Sequence, residues 1–207
     1  MSETTAQDAS MGRRERKKAA TRQALADAAL RLFLERGYDQ VGIREIADAA
    51  DVSTTTLFKH FPVKEALVFD EDAGQEAGLL AAVHDRPQGQ SVLAALREHA
   101  LRHRVATRDD DPAFADFAAL VENTPALRDY AQHMWLRHET ALSHAIAETT
   151  GRPADDPHCA ALAHFVLEAP RTARGRADGY EAVNRAFDIL EQGWSNISQQ
   201  GEGAPST

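Results

Sequence analysis

Apolar positions recur every three or four places through most of the chain, and no stretch alternates convincingly every second place, which predicts an all-α protein of about nine helices. Leu25, Ala29, Leu32 and Phe33 mark the buried stripe of a helix over 13–36, closed by Gly37. Ile43, Ile46, Ala47 and Ala50 give a narrow stripe to a short helix over 43–50. Leu57 and Phe61, four apart, give one face to a second short helix that Ser53 caps and Pro62 stops. A connecting helix is expected over 63–84, and the polar run 86–91 breaks it. Beyond lie helices over 92–107, around Phe114 to Val121, over 125–149, over 157–174 and over 177–198. Prolines, glycines and aspartates separate them. Residues 1–11 and 199–207 lack periodicity and are expected as a disordered arm and tail.

The two short helices are separated only by the turn at Asp51, a residue that tolerates the left-handed conformation better than most. Away from Leu57 and Phe61, the second helix carries Thr54, Thr55, Thr56, Phe58, Lys59 and His60, and no carboxylate falls between Ser53 and Lys64. Small, hydroxylic, aromatic and basic side chains on one face suit contact with a polyanion. Two helices joined by a three- to four-residue turn form a helix-turn-helix, whose second helix enters the DNA major groove.

This run resembles the DNA-binding domain of the TetR family of bacterial transcriptional regulators. The matching residues are Gly37-Tyr38, Ile46-Ala47, Ala50-Asp51-Val52-Ser53, Thr56-Leu57-Phe58, His60-Phe61 and Lys64-Glu65-Ala66-Leu67, within a stretch of about residues 13–70. Three positions depart from the family pattern: Gly42 stands where Thr or Ser is usual, Asp51 replaces the turn glycine, and Phe58 replaces tyrosine. The resemblance implies a three-helix head over 12–62 and a ligand-binding and dimerisation body of about six helices over 63–198. It implies base contacts from Arg44, Thr54, Thr55 and Lys59. It implies phosphate contacts from Ser53, Thr56, His60, Lys64 and the basic arm 13–18, with Phe58 on the same face.

The charge distribution agrees with a head that meets DNA and a body that does not. Residues 1–64 hold 11 Lys and Arg against 9 Asp and Glu, a net +2, while residues 65–207 carry −11, together the −9 of the chain. Residues 13–22 alone hold six basic side chains against Glu15. A single cysteine, Cys159, excludes an internal disulfide and suits a reducing cytoplasm. No run approaches the roughly 20 apolar residues of a membrane span, and residues 1–10 lack the apolar core of a signal peptide.

In the body, His99 and His103, four apart, could share a metal, yet no cysteine or carboxylate completes a ligand signature. His158-Cys159 lacks the adjacent Lys or Arg of an activated thiol and reads as packing. No phosphate-binding loop or catalytic triad order is present, so neither cofactor nor enzymatic activity is expected. Phe114, Phe117, Met134, Trp135, His138 and Phe165 supply bulky and polarizable groups that read equally as core packing or as an effector pocket, and the family resemblance implies the pocket. The body's acidity favours an apolar effector that is neutral or cationic. Tyr180, Val183, Phe187, Leu190, Trp194 and Ile197 form a seam spaced by threes and fours, which one bundle could absorb as core and which the family resemblance implies as a two-fold dimer interface.

The family resemblance, with these patterns beside it, implies a homodimeric repressor that a small molecule releases from a palindromic operator. Two competing readings remain open from sequence: a ligand-independent DNA-binding activator or architectural protein, and a helical-bundle metal enzyme using His99 and His103.

Overall fold

The computed structural model describes residues 3–106, 112–173, 176 and 178–201, with side chains described from 12 to 102 and 112 to 194 within those spans. Nine α-helices follow one another among the described residues: α1 (Glu3–Arg36), α2 (Ile43–Ala49), α3 (Thr54–His60), α4 (Asp72–His84), α5 (Val92–Ala106), α6 (Pro112–Asn123), α7 (Pro125–Thr150), α8 (Pro157–Glu168) and α9 (Gly179–Gly201). Single 3-10 turns lie at Tyr38–Gln40, Glu65–Leu67 and Arg171–Ala173. The described residues contain no strand, and none of their helices is long and apolar enough to cross a membrane.

Local chemistry explains the ends of these helices. Gly37 leaves α1 in the left-handed region at φ 86°, as its lack of a Cβ permits. Asp51 does the same after α2 at φ 54°, while the Val52 N–H reaches back to the Ala47 carbonyl at 2.9 Å. Gly42 has no side chain with which to cap α2, so only half of a capping box forms. The Glu45 carboxylate accepts from the Gly42 N–H at 2.8 Å, and Arg36 holds that carboxylate at 2.7 Å. Asp156 caps α8, accepting from the His158 N–H at 2.7 Å.

The chain divides into two compact units. The first comprises Met1–Asp72 and Asp116–Tyr130; the second comprises Ala73–Ala115 and Ala131–Thr207. The core of the first gathers Leu25, Ala29 and Phe33 of α1, Ile46 of α2, Leu57 of α3 with Phe61 behind it, Leu67, and Leu127 of α7. Phe69 stacks on Tyr130 at 5.3 Å between ring centroids and meets Phe117 edge-on at 6.1 Å. The second unit packs Leu79 and Val83 of α4, Leu93 and Leu96 of α5, Leu142 and Ile146 of α7, Leu162 and Val166 of α8, and Val183 and Phe187 of α9. Arg97 ties α5 to α9 through Asp188 at 2.7 Å and Glu191 at 3.1 Å.

Several sequence expectations are corrected here. Residues 3–11 belong to α1 and residues 199–201 to α9, while residues 1, 2 and 202–207 lie outside the described set. The connecting helix starts at Asp72, not at residue 63. Before it, Ala66, Leu67 and Val68 turn into the core of the first unit, and a continuous helix from 63 could not bury all three neighbours together. α8 stops at Glu168: Ala169 keeps helical backbone angles and its N–H still reaches the Phe165 carbonyl, but Pro170 has no N–H with which to extend the ladder. The first compact unit extends past residue 62 and takes in residues 116–130.

Candidate nucleic-acid interface

α3 is short and polar, so its position depends on what it buries. Leu57 and Phe61 are both fully buried, and they press one side of the helix into the core. Ser53 is the cap: its hydroxyl accepts from the Thr56 N–H at 3.1 Å and pairs with the Thr56 hydroxyl at 2.9 Å. The opposite side is left outward. Thr54, Thr55, Phe58 and Lys59 are exposed, and Thr56 and His60 are half-buried. Phe58 keeps half its surface in solvent. No acidic side chain shares this helix.

Around α3 lie further cationic groups. Arg44 on α2 is almost wholly exposed, with Asp48 3.9 Å away. Arg13, Arg14, Arg16, Lys17 and Lys18 are exposed on α1. The His60 imidazole is held below its ordinary pKa, first by partial burial and then by the positive charges of Arg22 and Lys18.

Lys64 departs from its expected place on phosphate. Its ammonium turns inward, donates to the Tyr38 carbonyl at 2.6 Å and lies 4.0 Å from the Tyr38 ring centroid. Burial lowers its pKa, although the carboxylates of Asp39, Glu65 and Glu45 act in the other direction. The Tyr38 hydroxyl donates to Glu65 at 2.8 Å, so Lys64 and Glu65 together pin the turn after α1. Sequence reasoning also missed Arg22. It was legible only as one more basic residue of the 13–22 cluster, yet its guanidinium bridges the His60 and Asp70 carbonyls at 2.8 and 2.9 Å.

The amino-terminal region, residues 25–70, matches the family profile described as bacterial regulatory proteins, tetR family, and residues 90–195 match the MftR C-terminal domain profile. The chain belongs to the TetR family. It is a DNA-binding transcriptional regulator, and its relatives are regulators rather than enzymes. It is similar to the HTH-type transcriptional regulator TcmR of Streptomyces glaucescens, 34% identical over 70% of this chain and 67% of the relative. It also resembles the mycofactocin biosynthesis regulator MftR of Mycobacterium tuberculosis, 24% identical over 89% of this chain and 96% of that protein. Its fold is like that of Thermus thermophilus FadR, a repressor solved in complex with lauroyl-CoA, with a TM-score of 0.52, 24% identity, and coverage of 83% of this chain and 94% of that one.

The effector candidates separate in this TetR-family chain. Phe117 belongs to the first unit, against Phe69. Phe114, Met134, Trp135, His138 and Phe165 belong to the second. Phe165 is 55% exposed on α8, so it does not line an internal pocket. Met134 and His138 are buried, and Trp135 packs against the core with its ring centroid 6.5 Å from that of His138. His138 Nε2 lies 3.6 Å from a Glu76 carboxylate oxygen, and the Arg171 guanidinium sits 5.4 Å from the Trp135 ring. The Trp135 indole N–H is buried, and among the described residues no acceptor reaches it. Two open surface grooves of the second unit lie elsewhere, one walled by Ala82, Arg86 and Glu98, the other by Ser143, His144 and Asp155.

The residues of the expected dimer seam differ in burial. Val183 and Phe187 are fully buried in their own subunit's core, while Leu190 and Trp194 pack against it and stay partly exposed. Tyr180 instead faces outward, and the Ile197 side chain lies outside the described residues. Among the described residues of the second unit, the large apolar side chains left exposed are Leu136 on α7, Phe165 on α8, and Tyr180 and Ile189 on α9, the last 70% exposed. Among the described residues no group of three His, Cys, Asp or Glu could hold a metal; the side chain of His103 lies outside them. Cys159 is buried, and burial raises its thiol pKa, consistent with a packing role.

Proposed function

We propose that this regulator is a homodimeric repressor that reads a palindromic operator with α3 and leaves it when a small molecule binds the body. The observation that carries the reading is the carboxylate-free outer face of α3, fixed by a buried Leu57 and Phe61 on its inner face. Lys59 and Arg44 can donate to guanine edges, and the methyl groups of Thr54 and Thr55 can pack against thymine. Ser53, Thr56 and His60, with the basic residues of α1, would hold phosphates and set the register. Phe58, lacking a hydroxyl, would contribute apolar contact alone. Lys64 is left out of this set, because its ammonium serves the Tyr38 turn.

Two copies would pair through the bare apolar side chains Phe165, Tyr180 and Ile189, placing two copies of α3 about one helical turn, ~34 Å, apart. Such a pair works in the bacterial cytoplasm, where the operator is. Repression fits the relatives named as repressors, FadR among them. For the effector, the Trp135 indole N–H and the His138–Glu76 pair supply polar groups beside apolar side chains. A neutral or cationic molecule with an acceptor for the indole suits them. A ligand that favours one arrangement of the body lowers operator affinity by its differential affinity, and about 1–3 kcal/mol suffices for regulation.

The test is footprinting of the purified protein on DNA upstream of and within its own genetic neighbourhood, followed by a thermal-shift screen for ligands. A protected inverted repeat, released by a ligand that Trp135→Ala no longer senses, supports the reading. Protection without sequence preference would reject it.

A further inference from the structure

Arg22 projects from α1 and ends on two backbone carbonyls that have no reason in sequence to be near each other. One nitrogen of its guanidinium donates to the carbonyl of His60, the last residue of α3, at 2.8 Å. The other donates to the carbonyl of Asp70, two residues before α4 begins, at 2.9 Å. The plane of the group rests 4.1 Å from the centroid of the fully buried Phe61 ring. The His60 carbonyl is one of the acceptors that a helix leaves unpaired at its carboxyl end, where the helix dipole also favours a cation. The Asp70 carbonyl belongs to the last segment of the first unit before the chain passes into the second at Ala73.

We propose that Arg22 is a positioning residue for operator binding, fixing the carboxyl end of the recognition helix against the segment that leads out of the head. The inference rests on the reading of α3 as the base-reading element. Only a planar fork with two divergent donors can satisfy both carbonyls while stacking on Phe61; a lysine keeps the charge but offers one point of attachment. The group acts through α3, not on DNA. Both terminal nitrogens of its guanidinium donate to carbonyls, which separates it from the exposed residues Arg13, Arg14, Arg16, Lys17 and Lys18 on the same helix. His60 registers the same contact, since the nearby guanidinium helps to depress its pKa.

The experiment compares wild type, Arg22→Lys and Arg22→Gln as full-length chains on a selected operator and on random duplex DNA, across a series of salt concentrations. Circular dichroism and thermal melts establish the folded fraction. A positioning role predicts operator affinity about 10- to 100-fold lower in both variants, the scale of losing one or two charge-assisted hydrogen bonds. It also predicts unchanged random-DNA affinity, an unchanged salt slope, and no rescue by lysine. A salt slope shallower by about one unit in Arg22→Gln but not in Arg22→Lys would make Arg22 a phosphate contact and overturn the inference. So would wild-type operator affinity in both variants, or variants unfolded at the assay temperature, which would make the residue one of stability alone. If wild type itself selects no sequence, the reading of α3 falls, and that result is distinct from each of these.

Discussion

The residues that set the interface act in opposite directions, and burial separates them. Lys59 and Lys64 are five apart, and sequence alone gives them equal claims on DNA. The structure leaves Lys59 outward and folds Lys64 over Tyr38. Lys59→Ala should therefore lose about 1–3 kcal/mol of specific binding and relax preference at one base step, measured by competition among single-base operator variants. Lys64→Ala should instead lower the melting temperature and weaken operator binding with its salt slope intact; a slope flattened by one unit would restore it to phosphate. His60 gives a test by pH. Its imidazole is depressed in the free protein, first by partial burial, so protonation costs the folded state stability as pH falls below about 6.5. A phosphate beside it favours the imidazolium. Operator binding should then take up a proton and tighten as pH is lowered from 7.5 to 6, and His60→Gln should flatten that dependence. An affinity that weakens over this range in wild type would place His60 away from phosphate.

Elements were legible where local chemistry decides them. The cap at Ser53, the left-handed Asp51 and the Thr124-Pro125 start of α7 stand as the sequence indicated. The start of α4 was not legible, because the pull of the core on Ala66, Leu67 and Val68 is a tertiary effect with no mark in residues 63–71 themselves. The threefold and fourfold spacing of α9 marked Val183 and Phe187, which lie in the subunit's own core, together with the partly exposed Leu190 and Trp194. Periodicity reports that a face is buried, and not against which copy. Removing a cap should cost what local chemistry costs: Ser53→Ala is expected to destabilise α3 by about 0.5–2 kcal/mol in denaturant melts. The cap of α8 reports on acid. Burial opposes ionisation of Asp156, yet its bonds to Arg152 and to the His158 backbone and ring hold its carboxyl down at about 2. A carboxyl depressed in the folded state contributes stability above its ordinary value of 3.8 and loses it as pH falls toward 2. Wild type should therefore lose melting temperature between pH 4 and 2 more steeply than Asp156→Asn; parallel acid limbs would contradict this.

At the scale of the molecule, basic residues gather toward the start of the chain while the whole carries a net −9, and among the described residues the large apolar side chains left exposed on the second unit are Leu136, Phe165, Tyr180 and Ile189. Wild type should sediment as a dimer at micromolar concentration, and Phe165→Glu with Ile189→Glu should yield a monomer that binds operator at least about 10-fold more weakly. A monomeric wild type would remove the two-fold geometry altogether. That geometry is the centre of the account, and one measurement reaches it most directly: selection of binding sequences from a random duplex library, run in parallel with wild type and Lys59→Ala. The account predicts an inverted repeat whose half-sites lie about one helical turn apart, with Lys59→Ala losing discrimination at one symmetric pair of positions. Enrichment of no sequence, or of a single site without two-fold symmetry, would contradict it.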